Sequence, residues 1–278
     1  MNKKSGSLSV SLVVYYPDLN LLYETIDSLK QAYTHANERG CIDRLTLFII
    51  ENGADIKDRQ SINQFLNKTF SESGVDFEYV SGHGNVGYGR GNNIGIQKSQ
   101  SEYHLILNPD VYLYNDALEN GLSVFQAHPE IGMLAPVIIN DLSEITHLCK
   151  NYPDVLTLFS RGVGIAKSKT LKDRIDKYSL KKLKLNQLIK NIPIFSGCFM
   201  LYRTDVLKQL KGFDPSFFLY FEDFDLSLKT NELTQTALIP SMRIRHLGGG
   251  AAKKGGKHIF YFAVSAYKFF NKHGWKWL

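Results

Sequence analysis

His104-Leu105-Ile106-Leu107-Asn108-Pro109-Asp110-Val111 is the stretch whose reading decides the fold. The apolar run Leu105 to Leu107 predicts a buried strand, and Pro109 ends it, because proline removes a ladder donor and turns the chain. Asp110 is thereby presented just past a strand end. In open α/β sheets ligands collect at the carboxyl ends of strands, where a carboxylate can hold a divalent cation and, through it, a diphosphate. Asn-Pro-Asp is also ordinary turn chemistry, so a turn cap and a cation ligand both stand on this stretch alone.

Working outward, the chain alternates between two periods. Leu8 to Tyr15 is β-rich, and Leu19, Leu22, Ile26 and Leu29 then recur at helical spacing until the pattern fades by Gly40. Leu45 to Ile50 reads as a second strand closed by Glu51-Asn52-Gly53, Arg59 to Phe70 as a helix, and Phe77 to Val80 as a third strand. A glycine-rich run from Gly82 to Gly95 and a short helix lead into the strand at Leu105. Strand and helix in alternation predict a parallel, doubly wound sheet for this half. Beyond it, Met133 to Ile139 reads as a strand, Ile194 to Tyr202 is apolar around Ser196-Gly197-Cys198, and Thr204 to Leu210 is a short helix ended by Gly212. Then Phe217-Phe218-Leu219-Tyr220-Phe221 runs into Glu222-Asp223-Phe224-Asp225, an aromatic stretch that delivers three carboxylates within four residues.

Composition excludes several classes. With 278 residues, 44% hydrophobic and 22% charged, the chain can bury a sizeable core and is not disordered. Cys41, Cys149 and Cys198 are odd in number and lack metal-ligand spacing, which fits a reducing compartment. Lys3 and Lys4 precede an apolar run that is interrupted by serine and ends in Pro17-Asp18, so it reads as a first strand and not a signal peptide. No run approaches about 18 consecutive apolar residues. The net charge of +6 suits a partner carrying phosphate: nucleic acid, nucleotide or an anionic membrane face. Much of it sits between Lys167 and Lys190, where nine Lys or Arg face two Asp.

Gly82-His83-Gly84-Asn85-Val86-Gly87 fits the dinucleotide fingerprint G-x-G-x-x-G, which makes an NAD-dependent oxidoreductase a rival reading. Two facts weigh against it. The fingerprint belongs to the first strand-helix turn of such folds, and Gly89, Gly91 and Gly95 each cost the following helix about 1 kcal/mol relative to alanine. The denser feature is Asn85 to Gly95, whose small residues allow a ligand close to the backbone, while Arg90, Asn92 and Asn93 offer donors to sugar or phosphate oxygens. A flexible loop leading into a helix is the structural alternative.

Four motifs in order, Glu51-Asn52-Gly53, Asn85 to Gly95, Asn108-Pro109-Asp110 and Phe221 to Asp225, followed by Arg245-His246-Leu247-Gly248-Gly249-Gly250, resemble the inverting glycosyltransferases of family 2 with a GT-A fold. Within them, the bacterial rhamnosyltransferases of surface-polysaccharide synthesis are the most similar. The resemblance spans roughly residues 8 to 270.

It implies an α/β fold with a mostly parallel central sheet, a nucleotide-sugar half (1–115), an acceptor and catalytic half (116–258) with a basic insertion at 167–190, and an aromatic, basic C-terminal helix (259–278). Tyr15, Tyr16, Glu51 and Asn52 would hold the nucleoside, though the family more often has Asp at the position of Glu51. Asn85, Gly87, Tyr88, Arg90, Asn92, Asn93 and Asn108 would complete the donor site. Asn108 and Asp110 match a D-x-D-like metal motif in which Asn108 replaces the first carboxylate, leaving Asp110 as the one charged ligand expected for Mg²⁺ or Mn²⁺, with His246 as a further metal ligand or a phosphate contact. Asp223 matches the catalytic base, with Glu222 and Asp225 beside it and Ser196, Gly197 and Cys198 on the acceptor side. An acidic cluster at a helix N-terminus, favoured by the macrodipole, is the alternative for the carboxylates.

The implied reaction moves L-rhamnose from dTDP-L-rhamnose to a lipid-linked saccharide; a UDP-hexose donor is the alternative. The basic patch and the aromatic C-terminus predict a peripheral protein on the cytoplasmic face of an anionic membrane, against a core-packing helix whose lysines face water. A nucleic-acid binder would rest on charge alone, without a recognisable module.

Overall fold

A computed structural model describes residues 6–71, 73–140, 142–163, 168–247 and 256–277. In chain order the first half comprises β1 (Gly6–Tyr15), α1 (Leu19–Glu38), β2 (Ile42–Gly53), α2 (Ile56–Phe70), β3 (Val75–Val80), α3 (Tyr88–Lys98) and β4 (Tyr103–Leu107). There follow β5 (Val111–Leu113), α4 (Ala117–Ala127), β6 (Ile131–Ile139), β7 (Ile145–Thr146), α5 (Val155–Val163) and α6 (Lys169–Tyr178). The chain closes with β8 (Ile189–Lys190), β9 (Phe199–Arg203), α7 (Thr204–Gln209), α8 (Glu222–Leu233), β10 (Gln235–His246) and α9 (Gly256–His273). Among the described residues, no helix is long and apolar enough to cross a membrane.

The alternation predicted for the first half is the one observed. Asp18 caps α1 by accepting from the Asn20 and Leu21 amides, and Leu22, Ile26 and Leu29 form the buried stripe. Strands β3, β2, β1 and β4 are parallel neighbours, with Val10 between Leu47 and Leu105 and Leu12 between Ile49 and Leu107. The inner strands β1, β2 and β4 are largely buried, whereas the edge strand β3 alternates Asp76 and Glu78 with apolar residues. The sheet continues through β9, β6, β10 and β5, so one sheet runs through both halves. The 12-residue strand β10 was not anticipated; Gln235, Thr236, Ser241 and Arg243 break its apolar pattern.

Strand direction explains where a site can form. β9 runs antiparallel to β4, so its beginning lies beside the end of β4, and the Asn108 amide donates to the Cys198 carbonyl at 2.9 Å. β10 is parallel to β6 and ends at His246, opposite Val111 of the antiparallel β5. Residues 15–16, 51–53, 108–110, 196–198 and 246 therefore meet along one edge of the sheet, as the rule for open α/β sheets requires.

The glycine-rich run corrects an expectation. Gly89, Gly91 and Gly95 lie inside α3, and the last two face the sheet. A Cβ at Gly91 would stand 3.0 Å from Val13, and one at Gly95 would stand 2.7 Å from the Ser11 Cβ. Spaced by one helical turn, the two let α3 lie directly on β1.

Candidate active site

Helix α3 organises the site by holding the chain that carries the carboxylates. The Asn93 side chain donates to the Phe213 carbonyl (2.8 Å) and accepts from its amide (2.9 Å), and Arg90 Nε donates to the Pro215 carbonyl at 2.7 Å. Tyr88 donates its amide to the Phe218 carbonyl and its hydroxyl to the Gly197 carbonyl, at 3.2 and 2.6 Å. Asn92 is wholly buried, donating to the Tyr88 carbonyl and accepting from Ser11 Oγ. The donor-binding role expected of Asn92 and Asn93 is thus corrected: their polar atoms are spent on protein partners. Gly87 has φ of +87°, and a Cβ there would collide with the Phe218 carbonyl. Its neighbours serve that turn, with Asn85 Oδ1 accepting from the Gly87 amide and Asn52 Nδ2 donating to its carbonyl. Because Phe218 covers the start of α3, the seat a dinucleotide pyrophosphate needs at a helix N-terminus is filled.

At the edge of the sheet, Asp110 Oδ1 and His246 Nε2 approach to 3.3 Å. The Leu247 amide, donating to the Asp110 carbonyl at 2.8 Å, fixes the two segments together. Asp110 Oδ1, His246 Nε2 and Asn108 Oδ1 are all buried without a hydrogen-bond partner. Three lone-pair donors left unsatisfied in one place are costly unless something occupies them. One carboxylate, one imidazole and one amide oxygen form a donor set that suits Mg²⁺ or Mn²⁺. Among the described residues, no group of three His, Cys, Asp or Glu converges, so substrate oxygens or water must complete the coordination. The motif Gly248-Gly249-Gly250 lies outside the described residues.

The carboxylates emerge from a strained turn. Tyr220 and Phe221 are consecutive non-glycine residues with φ of +70° and +66°, a conformation that persists only when the surroundings enforce it. Phe217 and Phe221 are buried against Phe224, Phe269 and Ile194 and supply that enforcement. Asp223 Oδ2 accepts from the Gly197 amide at 2.9 Å, and Oδ1 from the Phe224 amide at 3.0 Å. Burial raises the Asp223 carboxyl above its ordinary range, opposed by the Lys150 charge and by these amides. Glu222, 5% exposed with Oε2 unpartnered, is pushed up to about 8 by burial and by the neighbouring Asp223 charge. Burial and mutual repulsion both act against two negative charges on this pair.

Asp225 has a different task from the one expected. It is wholly buried and sits 2.6 Å from Lys272, 2.8 Å from His273 and 3.5 Å from Lys229. Burial acts to raise its carboxyl, but the bonds from His273 and Lys272 outweigh that and hold it low. It anchors α9 to α8 and is unavailable to an acceptor. Glu51 is likewise occupied: its carboxylate meets Arg59 at 2.8 Å and accepts from Tyr79 at 3.1 Å, and Asn52, 4% exposed, has its side chain taken up by the Gly87 carbonyl and His83, which corrects its expected donor-binding role. Tyr15 and Tyr16 are both exposed, with rings edge to face at 4.9 Å. Ser196, Gly197 and Cys198 line the other side, where burial lifts the Cys198 thiol to about 11 and the charges of Asp110, Asp223 and Lys150 all act on it. Lys150, isolated in sequence from every motif, was missed; so was Arg59, whose partner is eight residues away. An open cavity of about 450 Å³ lined by Asp27, Lys30 and His35 contains none of these residues.

The family-wide pattern described as "Glycosyl transferase family 2" matches residues 11–211. Rhamnosyltransferase WbbL of Escherichia coli K12 is 26% identical over 182 residues, covering 62% of this chain and 64% of that protein. The low-salt glycan biosynthesis hexosyltransferase Agl10 of Haloferax volcanii is 25% identical over 202 residues, covering 66% and 60%. The chain thus spans less than two thirds of either relative. Among solved structures, GalNAc-T7 with UDP, GalNAc and Mn²⁺ superimposes with a TM-score of 0.62 at 14% identity, over 87% of this chain and 43% of that one. The mannosyltransferase PcManGT of Pyrobaculum calidifontis, in complex with GDP-Man and Mn²⁺, gives 0.61 at 14% identity, over 96% and 64%. The fold is that of the GT-A glycosyltransferases, and with its pattern matched over most of its length the chain belongs to glycosyltransferase family 2.

Proposed function

We propose that the protein is an inverting, metal-dependent transferase that moves L-rhamnose from dTDP-L-rhamnose to the hydroxyl of a lipid-linked saccharide. The observation that carries the reading is the Asp223 carboxyl, held by the Gly197 and Phe224 amides beside Glu222, whose carboxyl burial pushes up to about 8. Inversion needs a base on the acceptor face, opposite the departing diphosphate. Asp223 would take the acceptor proton, while Glu222 stays neutral and keeps the pair from repelling an approaching nucleophile. Asn108, Asp110 and His246 would hold the cation, which when bound neutralises charge on the departing diphosphate. Rhamnose is favoured over a UDP-hexose by the name of the E. coli relative.

The membrane reading has its own support. Phe159 on α5, Phe260 and Tyr267 on α9, and Trp277 are each more than half exposed. The Val155 amide donates to the Lys276 carbonyl, joining α5 to the C-terminal tail. Lysines of α6 adjoin α5, so aromatic and cationic groups meet on neighbouring elements as at a lipid interface.

Thermal shift with dTDP-L-rhamnose, UDP-hexoses and NADH, each with Mg²⁺, Mn²⁺ or EDTA, tests the donor. Saturation at a hundred times Kd stabilises by about 2.7 kcal/mol. Metal-dependent stabilisation by dTDP-L-rhamnose alone is expected; a response to another nucleotide sugar replaces the donor, and a response to NADH alone overturns the reading. Flotation with anionic but not neutral vesicles at low salt tests the membrane face.

A further inference from the structure

Lys150 enters the site from a segment with no recognised motif. Its backbone forms a two-way bridge with Ile194, at 2.9 and 3.1 Å, two residues before Ser196-Gly197. That bridge aims its side chain at α8, and its ammonium lies 4.9 Å from the ring centroid of Phe224, the residue after Asp223. The next residue, Asn151, donates its amide to the Tyr178 carbonyl at 2.8 Å. The Tyr178 ring in turn carries the Arg161 guanidinium at 5.1 Å. Two cations are thus gathered on one aromatic wall beside the carboxylates.

The Lys150 donors are not spent there. Among the described residues, the half-buried Lys150 ammonium donates no hydrogen bond and forms no ion pair. Arg161 contacts the Tyr178 face. The charges of Asp223 and Arg161 both act on Lys150, the first attractively and the second repulsively. Lys150 and Arg161 are thus two cationic side chains close enough to repel one another. A half-buried ammonium with unused donors and a like charge nearby is unfavourable unless an anion joins it. Phosphate fits, because an ammonium and a guanidinium together offer point charge and fork geometry to its oxygens.

We propose that Lys150 and Arg161 form a phosphoryl-binding site beside Asp223, which anchors a phosphorylated substrate so that its reacting group lies against the carboxylates. The proposal rests on the transferase reading and adds a substrate requirement to it: a phosphate on the acceptor, close to its reacting hydroxyl.

Calorimetric titration of inorganic pyrophosphate into EDTA-treated protein tests it, since removing metal silences the Asp110 side. Binding by the wild type is expected to weaken at least tenfold in Lys150→Met and in Arg161→Met, to survive in Lys150→Arg, and to be unchanged in Lys172→Met on α6. Equal binding by all variants, or none by the wild type, overturns the proposal. If Lys150→Met does not fold, Arg161→Met and Lys150→Gln carry the same comparison. The source is read by titrating UDP and dTDP with Mn²⁺. Unchanged nucleotide binding in the variants, with pyrophosphate bound alongside, assigns the phosphate to the acceptor; weakened nucleotide binding overturns the proposal. Donor-induced thermal shift that persists while pyrophosphate binding is insensitive to Lys150 would sink this proposal and leave the transferase reading standing.

Discussion

The Gly197 amide donates to Asp223 Oδ2 at 2.9 Å, joining the turn before β9 to the first turn of α8. A Cβ at Gly197 would lie 3.2 Å from the Asp223 Cβ and 3.4 Å from the Tyr88 ring, so the small residue is what brings the amide this close. With one oxygen held by Gly197 and the other by Phe224, the carboxylate has one orientation in which to meet a hydroxyl. Asp223→Asn keeps the size and removes the base. Transfer should fall by at least about 10²-fold, the lower range for general-base catalysis, while donor-induced thermal shift persists. Turnover near the wild-type rate would remove Asp223 from this role.

Glu222 gives a pH signature independent of turnover. Its folded carboxyl is raised, to about 8, so folding favours the protonated form. That contribution is full below the unfolded value near 4.5 and is lost as pH rises through about 8. Glu222→Gln, a permanent mimic of the neutral acid, should match the wild-type Tm near pH 5 and exceed it near pH 9. Each kcal/mol regained appears as about 2–4 °C in a chain of this size. Parallel Tm curves for the two proteins across pH 5 to 9 would show that Glu222 is not held neutral by the fold.

The metal prediction follows from an incomplete ligand set. Asn108, Asp110 and His246 offer one negative charge, so Mn²⁺ alone should stabilise the protein little, and Mn²⁺ with a nucleoside diphosphate far more than either alone. Asp110→Asn should abolish that synergy and leave the metal-free Tm within about 1 kcal/mol, since its buried Oδ1 has no hydrogen bond to lose. Strong stabilisation by Mn²⁺ without nucleotide would mean that the protein supplies more ligands than these three.

What could be read from the sequence, and what could not, follows from the range of the interactions. The strand ending at Pro109 and the parallel half were legible because strand burial and turn chemistry are local. The partners of Asn93, Arg90 and Asp225 were not, because Phe213, Pro215 and Lys272 lie 120, 125 and 47 positions away and nothing local announces them. Polar residues in a glycine-rich motif look like ligand donors until the fold shows which carbonyls they face. His104 was equally opaque: it is wholly buried, bonded to Ser9 and Ser11 at 2.7 and 3.1 Å, and pushed down to about 3 chiefly by burial. Its network carries on through Ser11 to Asn92, so the polar residues of β1 support α3 from below.

That support makes α3 the place where a stability defect becomes a catalytic one. Gly95→Ala puts a methyl 2.7 Å from the Ser11 Cβ, in backbone-supported packing that cannot turn aside. Overpacking of this kind costs about 1–3 kcal/mol, more than the helix propensity gained by replacing glycine. The helix must lift from β1, and the loop it holds through Asn93 and Arg90 lifts with it. Gly95→Ala should therefore lower Tm by several degrees and lower kcat at temperatures where the variant is still folded. Gly74→Ala is the contrast, at φ of +66° with no atom within 4 Å of the new methyl. It should cost stability through backbone strain while leaving kcat unchanged. If both variants lost kcat in the same proportion to Tm, α3 would be ordinary scaffold and not the support of the catalytic loop.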